Sequence, residues 1–293
     1  MITTHEQTVP IAPVHQAPIE ALRRKYHHTL SSHAFVSLYL WREEMRLSLY
    51  LRDDCFSARC GWKGENAWFF PCGSEAAKLA FVAEHGQEPD FRLCYLREAD
   101  RDFLQMHFPQ VYRLVRDENS DEYLYDRVGH LLLRGGRYAN VRTQVHRAER
   151  DYALTVQPLD AEACPKAVEI VRQWASLPHP FVCGLNDDKV DEEAIKRLPE
   201  LQMQGVLVSV NAEPYAVCAG FPLSGDTFDL CVAKCRKNLP GLSYYAKRAL
   251  FQVLEPRFTY INLEEDLGIP GLREMKQLLA PVQKNEIWEA TRL

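Results

Sequence analysis

Gly205-Val206-Leu207-Val208-Ser209-Val210-Asn211-Ala212-Glu213-Pro214-Tyr215-Ala216-Val217-Cys218-Ala219-Gly220 holds two apolar runs around a polar four-residue break. Its β-branched runs around Asn-Ala-Glu-Pro read as a strand, a turn and a returning strand. Downstream, residues 227–233 read as a third strand and 242–254 as a helix. Residues 258–263 read as a further strand and 271–279 as a last helix. Upstream, 191–204 reads as a helix. So does 162–177, where Ala167, Ile170, Val171 and Trp174 recur at helical spacing. Strands interleaved with helices make an α/β layer rather than a bundle.

The first half has the same rhythm. Residues 1–18 read as a loose arm rich in Pro, Thr and His, and Pro18 then opens a helix over 19–30. Ser31-Ser32 can cap a second helix, with Phe35, Leu38, Tyr39 and Trp41 as its apolar set. Leu47, Leu49 and Leu51 alternate with polar residues and predict a strand. Cys60-Gly61-Trp62 and Ala67-Trp68-Phe69-Phe70 flank a Lys63–Asn66 turn. Ser74-Glu75 opens a helix to about residue 84, 92–96 is a strand, and 98–108 is a helix stopped by Pro109. Two similar halves imply two copies of one α/β (α+β) fold, at 19–155 and 156–293, although no residue-level repeat is visible.

Composition excludes several classes. The chain has 293 residues, 46% hydrophobic and 26% charged, which rules out global disorder and collagen-like fibres. Lys plus Arg is 35 and Asp plus Glu is 40, a net charge of −5, so nucleic acid is not coated by net charge. No run reaches the roughly 18 apolar residues of a membrane span. The first twenty residues carry Pro10, Pro13 and Pro18 and no apolar run, so the expectation is a cytoplasmic protein that meets lipid only from its surface. The nine cysteines, at 55, 60, 72, 94, 164, 183, 218, 231 and 235, are odd in number and form no Cys-x-x-Cys. Free thiols are expected, with Cys164 before a Pro at a helix start as the candidate for a lowered pKa. No metal site is expected. Lone histidines such as His85, His130 and His179 read as structural or exposed.

Three stretches can carry chemistry. Arg134 to Arg150 holds Arg134, Arg137, Arg142, Arg147, Arg150 and His146 against one acid, Glu149. As a helix from Tyr138, it places Val141, Val145, Ala148 and Tyr152 on one stripe and Arg142, His146 and Arg150 on an adjacent row. Such a row can hold a phosphate, because the guanidinium is a bidentate fork. It can equally be a solvated face. The second stretch is Tyr260-Ile261-Asn262-Leu263-Glu264-Glu265-Asp266, a strand running into three acids, followed by Gly268, Pro270-Gly271 and a helix bearing Arg273 and Lys276. Acids at a strand end suit a general base or an ammonium grip, and Asp266 can equally cap a turn. The third is Lys234-Cys235-Arg236-Lys237-Asn238-Leu239-Pro240-Gly241, a basic loop before a helix. It would seat a phosphate through Lys234, Arg236 and Gly241. It is neither a Walker loop nor a dinucleotide fingerprint.

At these segments the chain resembles the phosphatidylglycerol lysyltransferase C-terminal domain family. The resemblance rests on Asp266-Leu267-Gly268-x-x-Gly271-Leu272-Arg273-x-x-Lys276 after a Tyr-Ile-Asn strand, and on Gly136 to Arg150. Ser32, Phe35, Leu38, Tyr39 and Trp41, with Phe69, Pro71 and Gly73, add to it. It spans about residues 20–285. Leu263 stands where the family usually has a basic residue, and Cys231–Cys235 replaces its usual charged strand.

The resemblance implies two tandem GNAT-type acyltransferase domains, like the Fem-type aminoacyl transferases, each a mixed, mostly antiparallel sheet flanked by helices. It implies lysine transfer from charged tRNA to a lipid head group, with the site between the domains and the membrane portion of the full-length enzymes absent. The expected activity is transfer of an acyl or aminoacyl group, from aminoacyl-tRNA or acyl-CoA, to an amine or hydroxyl acceptor that is a small molecule or lipid head group. No tightly bound cofactor is expected. Asp266 with Glu264 or Glu265 would act as base or ammonium grip. Asn262, Arg273 and Lys276 would bind substrate, and Arg142, His146, Arg147 and Arg150 would steer a phosphate. The alternative is a non-catalytic anion-binding protein on a degenerate GNAT scaffold.

Overall fold

The 205–220 hairpin forms. In the computed structural model, which describes residues 8–177, 185, 187–236 and 239–293, strands Gln204–Val210 and Glu213–Pro222 pair antiparallel. Asn211 and Ala212 join them at φ 51° and 68°. Successive positive φ values give a turn whose twist matches the right-handed twist of paired strands. Val206, Val208, Val210, Ala216 and Cys218 then share one buried cluster with Leu242, Ala246, Ala249 and Leu250 of helix Leu242–Val253.

The chain divides into two compact units. One ends at Asp121 and is completed by Asn285–Leu293, and the other is Glu122–Lys284. The boundary expected near residue 155 therefore lies earlier. Strand Glu122–Asp126 pairs with Tyr260–Asn262, and its Tyr123 and Tyr125 are fully buried in the second unit's core. Helix Ala139–Asp151 adds Val141 and Val145 to that core. These partners lie far along the chain, where local periodicity carries no information.

The second unit's sheet runs Gln283–Asn285, Glu122–Asp126, Tyr260–Asn262, Thr227–Cys235, Glu213–Pro222, Gln204–Val210, Leu154–Pro158. Thr227–Cys235 and Tyr260–Asn262 are parallel, joined through helix Leu242–Val253. A parallel pair needs such a crossover. Helices Ala163–Ala175 and Asp187–Lys196 complete this unit with Arg127–Leu132, Ala139–Asp151 and Pro270–Leu278. The helix expected at 191–204 instead runs from Asp187 to Lys196. Asp187 and Asp188 favour its positive N-terminal end, and Pro199 cannot continue it.

The first unit's sheet runs Val9–Pro10, Leu47–Arg52, Cys55–Cys60, Ala67–Phe69, Arg92–Leu96, Trp288–Arg292, Tyr112–Arg116, with Cys72–Gly73 against Cys55–Cys60. Ser74 caps helix Glu75–His85, its hydroxyl accepting from the Ala77 N–H at 3.3 Å. Strands Tyr112–Arg116 and Trp288–Arg292 lack clear apolar alternation and were not expected from the sequence. The arm is not loose in its described part. Val9 and Pro10 pair with Leu49 and Ser48, Pro13–His15 forms a 3-10 turn, and the first helix is Gln16–Lys25. Residues 1–7 and His179, Cys183, Lys237 and Asn238 lie outside the described residues. The eight described cysteines are free thiols. Burial and then Asp160 raise the Cys164 pKa, against the expectation of a reactive thiol.

Candidate functional site

The site is built in the second unit from an irregularity in strand Thr227–Cys235. Ala219 faces Val232 and Phe221 faces Asp229, so Gly220 alone opposes two residues, Leu230 and Cys231. This β-bulge turns the strand over. Phe228 and Leu230, up to its first residue, and Ala233 and Cys235, beyond it, pack on the same core cluster. Asp229 and Lys234 are left to other surroundings. Glycine is required opposite the bulge, because a Cβ at position 220 would lie 1.7 Å from the Asp229 carbonyl oxygen.

Asp229 is fully buried, and neither carboxyl oxygen has a hydrogen-bond partner among the described residues. Its neighbour across the parallel pair is Asn262. The Asn262 amide donates to Glu122 Oε2 at 2.9 Å, and its Oδ1 accepts from the Glu264 N–H at 2.8 Å. The chain turns there with Glu264 at φ 57°. Lys276, buried in helix Pro270–Leu278, holds this turn. Its ammonium donates to the carbonyls of Leu263, Glu264 (2.9 Å) and Glu265. All three ammonium hydrogens are thereby used.

Glu264, Glu122 and Glu265 thus act on Asp229, with Lys276 opposing them. Burial, and then the charges of Glu264 and Glu122, push the Asp229 carboxyl well above the usual carboxylate range. Burial and the charge of Glu265 raise Glu264 to about 8. Burial outweighs the surrounding acids at Lys276 and lowers it to about 8. Cys231 is also pushed well up, by burial and then by Glu264 and Asp229, which makes it a poor nucleophile. Asp229 and Glu264 hold protons where positive charge would otherwise be needed.

A second polar group lies beside it. Lys234 sits 3.5 Å from the Trp174 ring centroid and pairs with Asp187 at 2.9 Å and Asp191 at 3.0 Å. Burial raises the buried Asp191 to about 6, against the opposing pull of Lys234.

Several expected roles change. Asp266 is fully buried and takes Tyr123 Oη (2.5 Å) and Arg273 Nε (2.8 Å) on one oxygen, Arg273 Nη2 and the Gly268 N–H (both 2.9 Å) on the other. Burial alone would raise its pKa, but these donors outweigh burial and hold it low. It is a saturated anchor, unsuited to taking a proton, and Arg273 is engaged in holding it. Lys276 binds backbone rather than a substrate anion. Arg142 caps helix Arg127–Leu132 by donating to Leu133 O (2.6 Å) and Gly135 O (3.2 Å). His146, Arg147 and Arg150 are exposed, and the two arginines reach Asp151 at 3.7 and 2.8 Å.

The expected phosphate seat does not assemble. Lys234 is bound by acids, and Arg236 lies 3.4 Å from Glu213. Gly241, at φ 82°, is a contact with helix Ala139–Asp151, since a Cβ there would lie 2.1 Å from Gln144 O. His85 and His130 are buried, as expected of structural residues. His85 Nδ1 lies 2.8 Å from Glu88, and His130 is ringed by Tyr125, Tyr138 and Phe251. Sequence reading missed Asp229 and Glu122. The available signal was an aspartate inside the otherwise apolar run Thr227-Phe228-Asp229-Leu230-Cys231-Val232.

Among the described residues no group of three His, Cys, Asp or Glu side chains is placed to hold a metal, and no helix is long and apolar enough to cross a membrane.

Comparison with known proteins agrees with this architecture. A conserved protein of unknown function from Bacteroides thetaiotaomicron superposes with a TM-score of 0.89 at 21% identity, covering 98% of this chain and 99% of that one. L-PGS from Bacillus licheniformis gives 0.67 at 15%, covering 98% and 94%. FemX gives 0.64 at 9%, covering 98% and 97%. At these identities the likeness is one of fold. No curated protein matches the chain in sequence. The family model described as phosphatidylglycerol lysyltransferase, C-terminal, matches residues 23–290, and the chain belongs to that family.

Proposed function

We propose that the chain is an aminoacyl transferase and that the Asp229 cluster receives the ammonium of the transferred aminoacyl group. The observation that carries this reading is the buried, unpartnered Asp229 carboxyl among further acids. Buried polar groups are ordinarily hydrogen-bonded, and one that is not invites a ligand. An entering ammonium supplies the missing positive charge and displaces protons from Asp229 and Glu264. The acceptor hydroxyl or amine then attacks the ester carbonyl, forming the new acyl bond. The ester C–O bond breaks, and a cluster carboxylate takes the acceptor proton while the leaving hydroxyl gains one. Glu264, at about 8, is suited to such transfer near neutral pH.

The acidic cluster favours an aminoacyl-tRNA donor over acyl-CoA, since a plain acyl group carries no ammonium. The family's name makes lysine and phosphatidylglycerol the first pair to test. Against the non-catalytic anion binder stands the engagement of Arg142, Lys234, Arg273 and Lys276 by carbonyls or carboxylates.

The experiment incubates the chain with phosphatidylglycerol vesicles and either lysyl-tRNA or acetyl-CoA, and follows labelled lipid. Transfer from lysyl-tRNA is expected, with at least a hundredfold loss in Asp229→Asn. Undiminished lysyl transfer by Asp229→Asn, or transfer from acetyl-CoA alone, refutes the ammonium role.

A further inference from the structure

The first unit contains a cluster of the opposite sign. His28 is 3% exposed, and neither ring nitrogen has a hydrogen-bond partner among the described residues. It lies against His33, with ring centroids 3.9 Å apart and the ring planes tilted by 34°. His33 is satisfied. Its Nε2 lies 2.8 Å from the Phe70 carbonyl, which makes that nitrogen the donor, and its Nδ1 lies 3.0 Å from Ser32 Oγ.

Three cations act on this pair: Arg23 from helix Gln16–Lys25, Lys78 from helix Glu75–His85, and Arg97 at the start of helix Glu98–His107. Glu20 and Asp100 pair with them. Glu20 lies 2.7 Å from Arg23, and Asp100, fully buried, lies 3.2 Å from Lys78 and 2.8 Å from Arg97. The nearby Cys72 thiol adds no negative charge, because burial pushes it up to about 11. Burial above all, then the neighbouring His33 and the three cations, holds His28 neutral.

The cluster lies just under the surface. His27 and Thr29, on either side of His28, are exposed, and the Lys78 and Arg97 side chains keep 14% and 22% of their surface. An interior in which Lys78 and Arg97 share the Asp100 carboxylate beside an imidazole without a hydrogen bond is incomplete as it stands.

We propose that this cluster binds a small oxyanion, a carboxylate or a phosphate, against His28, with Lys78 and Arg97 at its entrance. Neutral His28 donates one N–H to the anion. The bound charge then raises the ring's affinity for a second proton, so binding takes up a proton and strengthens as pH falls. No bond is made or broken. Because its sign is opposite to that of the Asp229 cluster, the site takes a different ligand.

Acetate and inorganic phosphate are titrated separately into the full chain at about pH 6 and pH 7.5, following the His28 and His33 ring signals by NMR. Saturable binding that moves the His28 signal is expected, at least about threefold tighter at the lower pH. The two arms show whether carboxylate or phosphate is preferred. His28→Phe and Lys78→Met should each weaken binding about tenfold or more. No saturable shift of His28 with either anion overturns the proposal. So does undiminished binding in both variants, which would mark an adventitious ion only. If a variant does not fold, the wild-type His28 signal decides.

Discussion

Asp229→Asn should leave stability unchanged only below about pH 4 and increase it progressively as pH rises above that value. The Asp229 carboxyl is buried with no partner, and its folded pKa lies well above the ordinary 3.8. A group raised in this way contributes stability that is fully present below its unfolded pKa and is lost as pH rises through its folded value. Wild type therefore loses stability with rising pH, as Asp229 is driven to ionise among Glu122, Glu264 and Glu265. Asparagine has nearly the same shape and never ionises. The surroundings give the scale. Glu264 is raised from 4.5 to about 8, which at about 1.4 kcal/mol per pH unit makes a further negative charge there cost several kcal/mol. Removing the Asp229 charge should therefore stabilise by several kcal/mol near pH 9, at roughly 2–4 °C in Tm for each kcal/mol. The assay is thermal unfolding of both proteins at about pH 5.5, 7 and 9. A variant equally destabilised at all three, or a difference that shrinks toward pH 9, refutes the assignment of Asp229 as an unpartnered buried carboxyl. Gained stability alongside lost transfer would be the usual mark of a functional group kept at a cost to the fold.

Three further outcomes follow from the geometry. Lys276→Met keeps the side-chain stem but leaves the carbonyls of Leu263, Glu264 and Glu265 without their donor; it should cost about 3 kcal/mol, read by urea unfolding. Gly241→Ala combines a φ of 82° with a Cβ 2.1 Å from Gln144 O, so a loss of about 3 kcal/mol is expected, seen as a lower Tm. Arg147→Ala with Arg150→Ala, both exposed, should change stability by less than about 0.5 kcal/mol; if they steer an anionic donor, KM rises and its salt dependence weakens while kcat holds.

The closing stretch from Tyr260 to Lys276 shows how far the site was legible. Its strand, its three acids and the basic helix after them were all visible, and they do surround the site. Their roles were not. Three successive acids look equivalent in a row, yet Asp266 meets two side chains and a backbone N–H, whereas Glu264 turns into the cluster at positive φ. Lys276 looks like an anion ligand until its ammonium is seen to hold three carbonyls. Glu122 and Asp229 were missed because each sits in a strand whose neighbours come from elsewhere in the chain.

From the sequence alone came the α/β class, the central hairpin, the amphipathic helix of Val141 and Val145, and the family. The first three rest on periodicity and turn chemistry within a few residues, and the family rests on the resemblance of its motifs. Only the tertiary structure decided that residues 122–155 belong to the second unit, that the last strand returns to the first, and which charges meet. Strand order and charge pairing depend on contacts between residues from tens to more than a hundred positions apart. The energy of a buried charge is set by whatever surrounds it in space, which no local stretch encodes.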